Sequence, residues 1–215
     1  MIAMVQGYQL NDVEMDVLKE VGNIGAGNAA TVLSTMLGQR IQMTVPSVNL
    51  VPLTQVPEAV GGAELEMVGV CLGVTGDAPG TILFMLPVSS AAMLVDKLMT
   101  RAPGTTKSFG DMERSALGEM TNILTGAYLQ ALGELANIVL HSTVPALAID
   151  MAGAILTTIL AEVGRLGDYA FLIVTDFLLD GNKGVKGHFF LVPDPEALVT
   201  ILRALGVKEW NQRAK

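Results

Sequence analysis

Two pairs of polar residues have the types and spacing that chemistry requires. Glu20 and Asn23 stand three positions apart, and Glu119 and Asn122 repeat that spacing later in the chain. Residues three apart on a helix lie on the same face. An asparagine amide can donate one hydrogen bond to a water molecule and accept another, and a glutamate can pair with a cation on a partner. Such a pair suits hydrolysis of a phosphoryl group held in another protein's active site, where positioning supplies most of the catalysis.

Other catalytic chemistries have less support. With two histidines and one cysteine in the chain, no Ser–His or Cys–His pair is evident, and a transition-metal site is disfavoured. A glycosidase-like opposition of Glu20 and Glu119 depends on a separation that the sequence does not give. Residues 25–30 match the dinucleotide fingerprint G-x-G-x-x-A, but a charged helical segment precedes them where an apolar strand is needed. We therefore expect no cofactor or metal of the protein's own.

The chain contains an internal repeat with an offset of 99 positions. Residues 12–46 align with 111–145, and 11 of these 35 pairs are identical, whereas unrelated segments would share roughly two. Both Glu–Asn pairs are among the identities, as are Pro46 and Pro145. We predict one domain over residues 1–207, made of repeats at about 10–100 and 109–207, followed by a polar tail at 208–215.

The duplicated polar residues fall on the surface side of two long helices. At 100° per residue, each set lies within a narrow stripe, and the apolar residues lie on the other side. A glycine in each stripe costs about 1 kcal/mol of helix propensity, which is explained if it makes room for a partner. Packing between helices is the alternative reason for the glycines. The first stripe is Asp16, Glu20, Asn23 and Gly27, and the second stripe is Ser115, Glu119, Asn122 and Gly126.

Hydrophobic periodicity and turn residues predict the remaining elements. The predicted class is an α+β fold with pseudo-twofold symmetry, in which a largely antiparallel central sheet carries the two motif-bearing helices and shorter flanking helices. Predicted helices span residues 11–37, 89–99, 111–135, 152–163 and 195–205. Predicted strands span residues 41–50, 66–74, 81–87, 138–149, 170–179 and 185–192, and four of them form two hairpins.

Composition narrows the choice of partner and compartment. A formal net charge of −8 disfavours binding to nucleic acid. The lone cysteine, Cys71, and an N-terminus without a signal-peptide pattern predict a cytoplasmic protein. Residues 144–163 are apolar, but they contain Asp150 and Glu162 and are interpreted as a buried strand followed by a core helix. No membrane insertion is expected.

The spacing Asp/Ser-x3-Glu-x2-Asn-x22-Pro occurs twice without a gap, ending at Pro46 and at Pro145. On these residues the chain resembles the CheC family of chemotaxis phosphatases (the CheC–CheX–FliY group) over nearly its whole length. The resemblance implies hydrolysis of the aspartyl phosphate of the response regulator CheY, whose own active site supplies Mg²⁺.

The resemblance also implies a role for each stripe residue. Glu20 and Glu119 would contact the regulator's active-site lysine, while Asn23 and Asn122 would orient the hydrolytic water. Asp16 and Ser115 would support the site at its rim.

A second partner, the receptor deamidase CheD, is implied at residues 148–163. Asp150 is the candidate contact there, and a helix cap on the segment from residue 152 is its alternative role. A non-catalytic module that sequesters phosphorylated CheY or regulates CheD remains the alternative function.

Overall fold

Two 26-residue helices, α1 (Asp12–Leu37) and α4 (Asp111–Ala136), are the longest elements of the described structure. The computed structural model describes residues 3–5, 8–10, 12–38, 40–163, 169–179 and 183–206. At the start of α4, the Glu113 carboxylate accepts a hydrogen bond from the Gly110 amide at 2.9 Å, which satisfies one amide at the helix N-terminus. Asn137 ends the helix in the left-handed conformation, with φ of 51°. Local capping therefore fixes the ends of the helix that carries the second stripe.

The other elements follow the predicted order. The shorter helices are a 3₁₀ turn at Leu53–Gln55, α2 (Val56–Ala59), α3 (Val88–Leu98), α5 (Ala152–Val163) and α6 (Pro195–Ala204). The strands are β1 (Ala3–Val5), β2 (Tyr8–Leu10), β3 (Ile41–Pro52), β4 (Glu66–Gly76), β5 (Gly80–Pro87), β6 (Leu140–Ser142), β7 (Ala146–Met151), β8 (Tyr169–Leu179) and β9 (Lys183–Pro193). The sequence did not predict β1 and β2, which pair with each other. The predicted tail at 208–215 lies outside the described residues.

A seven-stranded antiparallel sheet joins strands from both repeats. Its order is β3-β8-β9-β5-β4-β6, and β7 also pairs with β4. The hairpin of the second repeat, β8–β9, thus pairs with the first strand of the first repeat, and the hairpin of the first repeat pairs with β6 and β7. The prediction of an α+β fold on an antiparallel sheet is confirmed.

The prediction of one continuous strand over residues 138–149 is wrong. The structure divides this segment into β6 and β7, with residues 143–145 between them. Pro145 has no amide hydrogen to donate to a sheet ladder, so pairing stops there. Its repeat counterpart, Pro46, lies in the register shift between Thr44 and Ser47 of β3. The same proline thus breaks one strand and only distorts the other.

Helices cover both faces of the sheet. Buried apolar residues of α1, α3, α4 and α6 pack on one face, and those of α2 and α5 pack on the other. Within the described residues, no helix is both long enough and apolar enough to cross a membrane. The segment that raised that question forms β7 and α5. The order of strand and helix is as predicted, but the prediction that the strand is buried is wrong, because every residue of β7 is exposed or half-buried.

A buried carboxylate organises the connection between the two repeats. Asp96, 2% exposed, accepts hydrogen bonds from the amides of Gly104, Thr105 and Thr106 at 2.6–3.1 Å and from the Thr106 hydroxyl at 2.7 Å. Burial alone would raise the pKa of Asp96, but these hydrogen bonds outweigh it and hold the pKa below 3.8. Arg101 extends the connection to α4 through an ion pair with Glu113 at 2.8 Å.

The sheet and its helical cover also bury the polar side chains of Tyr128 and His188. The Tyr128 hydroxyl lies 3.2 Å from the Thr175 hydroxyl, and burial raises the pKa of Tyr128 to about 12. His188 on β9 is 8% exposed, and its Nδ1 atom has no hydrogen-bond partner among the described residues. Burial, with Lys186 adding to it and Asp176 opposing it, lowers the pKa of His188 below 6.5. Both side chains are therefore uncharged near neutral pH.

Candidate functional site

The structure places both stripes on solvent-facing surfaces of their helices. Glu20, Asn23 and Glu119 are exposed, and Asn122 is half-buried. None of these four side chains makes a hydrogen bond or an ion pair with another described residue. The carboxylates and amides are thus free to engage a partner. Asp16 and Ser115 are exposed one turn earlier on the same faces.

The stripe glycines do not serve packing within the described part of the chain. A Cβ atom built at Gly27 or at Gly126 meets nothing within 4 Å. Gly25 is different, because its Cβ would lie 2.6 Å from Cδ1 of Tyr128 and 3.0 Å from the Tyr128 Cα. Gly25 is therefore the glycine that lets α1 approach α4. The fingerprint match at residues 25–30 lies in the middle of α1, which is incompatible with the strand–turn–helix that a dinucleotide site needs.

The two long helices pack antiparallel, which fixes the distance between the stripes. Gly25 meets Tyr128, Val21 clusters with Leu132, and Leu33 lines a small cavity with Met120. By this register Glu20 lies level with residue 133, about 14 residues from Glu119, or about 21 Å along the axis. Glycosidases place their two carboxylates within about 10 Å. The two glutamates therefore belong to separate sites.

An open groove of about 580 Å³ continues from the second stripe. Its floor is the stripe side of α4 beyond Asn122, from Gly126 to Gly133, and its far wall is formed by residues 138–142. On the floor, the Gln130 amide donates a hydrogen bond to the Glu134 carboxylate at 2.9 Å. Asn122 is thus one helical turn from Gly126, the first groove residue on α4.

A short loop follows this wall and borders the second stripe. Pro145 lies 3.6 Å from the Cβ position of Gly118, the neighbour of Glu119. The residue before it, Val144, is 86% exposed, whereas its repeat counterpart Val45 is 3% exposed. The sequence does not predict this difference in exposure, because Val45 and Val144 are aligned, identical residues of the repeat.

Asp150 lies at the end of β7 with an exposed side chain. Its Oδ1 atom accepts a hydrogen bond from the next amide, that of Met151, at 2.7 Å. The first amides of α5 are satisfied elsewhere, because those of Ala152 and Gly153 donate to backbone carbonyls of residues 65 and 63. Asp150 therefore accepts from the amide just before α5, while the first two amides of the helix have other acceptors.

The described residues contain no group of three or more His, Cys, Asp or Glu side chains that could hold a metal ion. Cys71 is half-buried on β4.

Comparisons with known proteins match this arrangement. The CheC-like family matches residues 13–50 and 112–149, which contain the two stripes and the two prolines. CheY-P phosphatase CheC of Bacillus subtilis is 32% identical over 200 residues, which cover 92% of this chain and 96% of that protein.

Solved structures with the same fold also include chemotaxis and flagellar proteins. FliY of Thermotoga maritima has 24% identity and a TM-score of 0.77, covering 93% of this chain and 98% of that one. CheX of Borrelia burgdorferi, solved in a complex with CheY, BeF3 and Mg²⁺, has 18% identity and a TM-score of 0.51, covering 84% and 99%.

The match to CheY-P phosphatase CheC over most of both chains defines a protein of the chemotaxis phosphatase class. This chain belongs to the CheC-like family.

Proposed function

We propose that this protein hydrolyses the aspartyl phosphate of the response regulator CheY. The observation that carries the proposal is the pair of exposed stripes, each with a Glu and an Asn that no described residue engages. A relative with 32% identity over nearly its whole length bears the name CheY-P phosphatase. A more distant structural relative was solved in a complex with CheY.

In the proposed mechanism each stripe docks along the regulator's phosphorylation site. Glu20 or Glu119 pairs with the regulator's active-site lysine and sets the register of the complex. The carboxamide of Asn23 or Asn122 then holds one water molecule in line with the phosphorus, accepting a hydrogen bond from it with the amide oxygen. Water attacks the phosphorus, the bond to the aspartyl oxygen breaks, and inorganic phosphate leaves. The rate increases because the attacking water is held in the reactive position before the reaction.

The protein needs no metal of its own in this scheme. The regulator's Mg²⁺ neutralises the charge that develops on the phosphoryl oxygens, and the stripes supply only the Glu and Asn groups. Asp16 and Ser115 support the edges of the contact, and Gly27 and Gly126 leave room for the partner's backbone beside the asparagines. Because the regulator is a cytosolic signalling protein, we also propose a cytoplasmic location.

The test is the loss of radiolabelled aspartyl phosphate from CheY with wild-type protein, Asn23→Ala, Asn122→Ala and the double variant. Two independent sites of equal strength leave each single variant with about half of the rate. Loss of the positioned hydrogen bond at both sites lowers the accelerated rate by about 100-fold.

Asn28→Ala is the matched control, since Asn28 is an exposed asparagine on α1 that lies outside the stripe. It should hydrolyse CheY phosphate at the wild-type rate. An unchanged rate in the double variant would overturn the water-orienting role. A wild-type protein that binds phosphorylated CheY but does not accelerate hydrolysis would leave only the alternative function, a module that sequesters the regulator.

We also propose that Asp150 contacts the deamidase CheD. The support is its exposed carboxylate at the edge of the sheet, combined with the family resemblance. Asp150→Asn should weaken CheD binding in titration calorimetry by about tenfold, the effect of losing one charge-assisted hydrogen bond. Glu196→Gln, at an exposed acid on α6, is the control. Equal affinities of wild type and Asp150→Asn would reject this contact.

A further inference from the structure

Val144 is an exposed apolar side chain with a fixed position. It is 86% exposed, and Val139 in the wall of the adjoining groove is 59% exposed, so two apolar side chains of this wall face solvent. Before it, the Thr143 amide donates to the Gly73 carbonyl at 2.9 Å, and the Thr143 hydroxyl accepts from the Gly73 amide at 2.9 Å. After it, Pro145 rests against α4 at Gly118. Because both neighbours are anchored, docking on Val144 requires little ordering of the loop.

The loop places Val144 beside the second Glu–Asn pair. Pro145 is level with Gly118 on α4, while residues 140–142 line the groove beside Gly126 and Gly133. Residues 143–144, which connect the groove wall to Pro145, therefore run alongside the part of α4 that carries Glu119 and Asn122. Val144 therefore stands at the side of the second stripe, on the same wall as the groove.

The first stripe has no equivalent contact at this position. Val45, the counterpart of Val144, is 3% exposed and packs beneath α1, where its Cγ1 lies 3.3 Å from the Cβ position of Gly22. The repeat kept the residue type and changed its role, because β3 stays continuous where β6 and β7 separate. The two stripes thus offer a partner different surfaces.

We propose that Val144 and the adjoining groove form an apolar docking contact for the phosphorylated receiver domain at the second stripe only. This inference rests on the proposed function and deepens it. The partner is the same receiver domain that brings the phosphoryl group to Asn122, because Val144 and the groove are continuous with that stripe. The second site then binds the regulator more tightly than the first, while the chemical step is the same at both.

The experiment isolates the second site with the Asn23→Ala background. In that background, Val144→Ser should raise KM for phosphorylated CheY about fivefold and leave kcat unchanged, since it removes apolar contact area without touching the reacting atoms. Val144→Ile keeps a branched apolar side chain and should restore the original KM. Val13→Ser is the matched control, because Val13 is 71% exposed at the start of α1 and lies outside the second stripe.

A binding measurement keeps this test independent of catalysis. The dissociation constant of the tighter of the two sites for beryllofluoride-activated CheY, resolved in a two-site titration, should rise by the same factor in Val144→Ser. If Asn23→Ala fails to accelerate hydrolysis beyond the double asparagine variant, the proposed function fails at this site, whereas the binding data still decide the docking contact. A Val144→Ser variant with the same KM and the same dissociation constant as its parent would overturn the docking proposal alone. So would a Val144→Ser protein whose only change is a loss of self-association.

Discussion

Three substitutions at two nearby glycines test the assignment of the exposed stripe. Ala at Gly27 adds a methyl group into open space, because nothing lies within 4 Å of the new Cβ. Replacing an interior helical glycine with alanine stabilises the helix by about 1 kcal/mol. For a chain of this size, that corresponds to a rise in Tm of about 2–4 °C. Gly27→Ala should therefore be more stable than the wild type.

Gly25→Ala should have the opposite sign. The new Cβ would lie 2.6 Å from the Tyr128 ring and 3.0 Å from the Tyr128 Cα, and the backbone of α4 cannot yield without shifting the helix. Overpacking of this kind costs about 1–3 kcal/mol, which exceeds the gain in helix propensity. We expect a net loss of about 1–2 kcal/mol. Urea unfolding followed by circular dichroism, with linear extrapolation to water, measures both values.

A larger side chain at Gly27 tests whether the partner docks against this part of α1. Gly27→Leu also keeps α1 folded, but it fills the space beside Asn23 that a partner's backbone would occupy. In the Asn122→Ala background, where only the first stripe is active, it should reduce phosphate release from CheY by at least about tenfold. If Gly25→Ala and Gly27→Ala shift stability in the same direction, the assigned faces of α1 are wrong. A folded Gly27→Leu with an unchanged rate would refute the role of the glycine in docking.

Three further predictions concern buried polar groups. Asp96→Asn should lower the free energy of unfolding by about 3 kcal/mol, because the amide accepts fewer of the four hydrogen bonds and brings its own donor to them. In urea titrations this difference should persist at all pH values above 3.8 and shrink as the pH falls through the lowered pKa of Asp96. His188 has a pKa below 6.5 in the folded protein, so the unfolded chain binds more protons there. Stability should therefore fall as the pH drops below 6.5, by at most about 1.4 kcal/mol per pH unit, and His188→Gln should lose that slope. Tyr128→Phe should cost about 1 kcal/mol through the unpaired Thr175 hydroxyl, as measured by thermal unfolding.

Each of these predictions has a clear contrary result. An Asp96→Asn protein as stable as the wild type would mean that the loop amides find other acceptors. A His188→Gln protein with the wild-type pH slope would assign that slope to other groups. For Tyr128, a phenol absorbance change near pH 10 that is present in the folded wild type and absent from Tyr128→Phe would contradict a pKa of about 12.

The sequence predicted the parts of this fold that depend on local patterns. The long helices follow from hydrophobic periodicity, and the hairpins follow from their turn residues. The exchange of hairpins between repeats depends on pairing between distant strands, which no local pattern encodes. The break at Pro145 was missed because the identical Pro46 lies within a continuous strand. Repeat symmetry was therefore a poor guide at this position.

For the candidate site, the sequence predicted the helix faces but not the distances between the two stripes or the exposure of the neighbouring loop. Helical spacing correctly placed Glu20, Asn23, Glu119 and Asn122 on the solvent-facing sides of their helices. The separation of the two glutamates required the antiparallel register of α1 and α4, which follows from the contact between Gly25 and Tyr128. Val144 could not be found from the sequence, since burial of Val45 and exposure of Val144 depend on how each strand passes its helix.

The interleaved order of the sheet means that neither repeat is a complete structure. A chain holding one repeat would present a first strand without its neighbour and a hairpin with an open edge, and both would have to be completed by a second chain. Because the two halves are joined in one chain, their effective concentration is fixed, and their association does not weaken when the protein is diluted. The linker that Asp96 holds therefore turns what would be a concentration-dependent dimer into a permanent one, in which two stripes are present in every molecule.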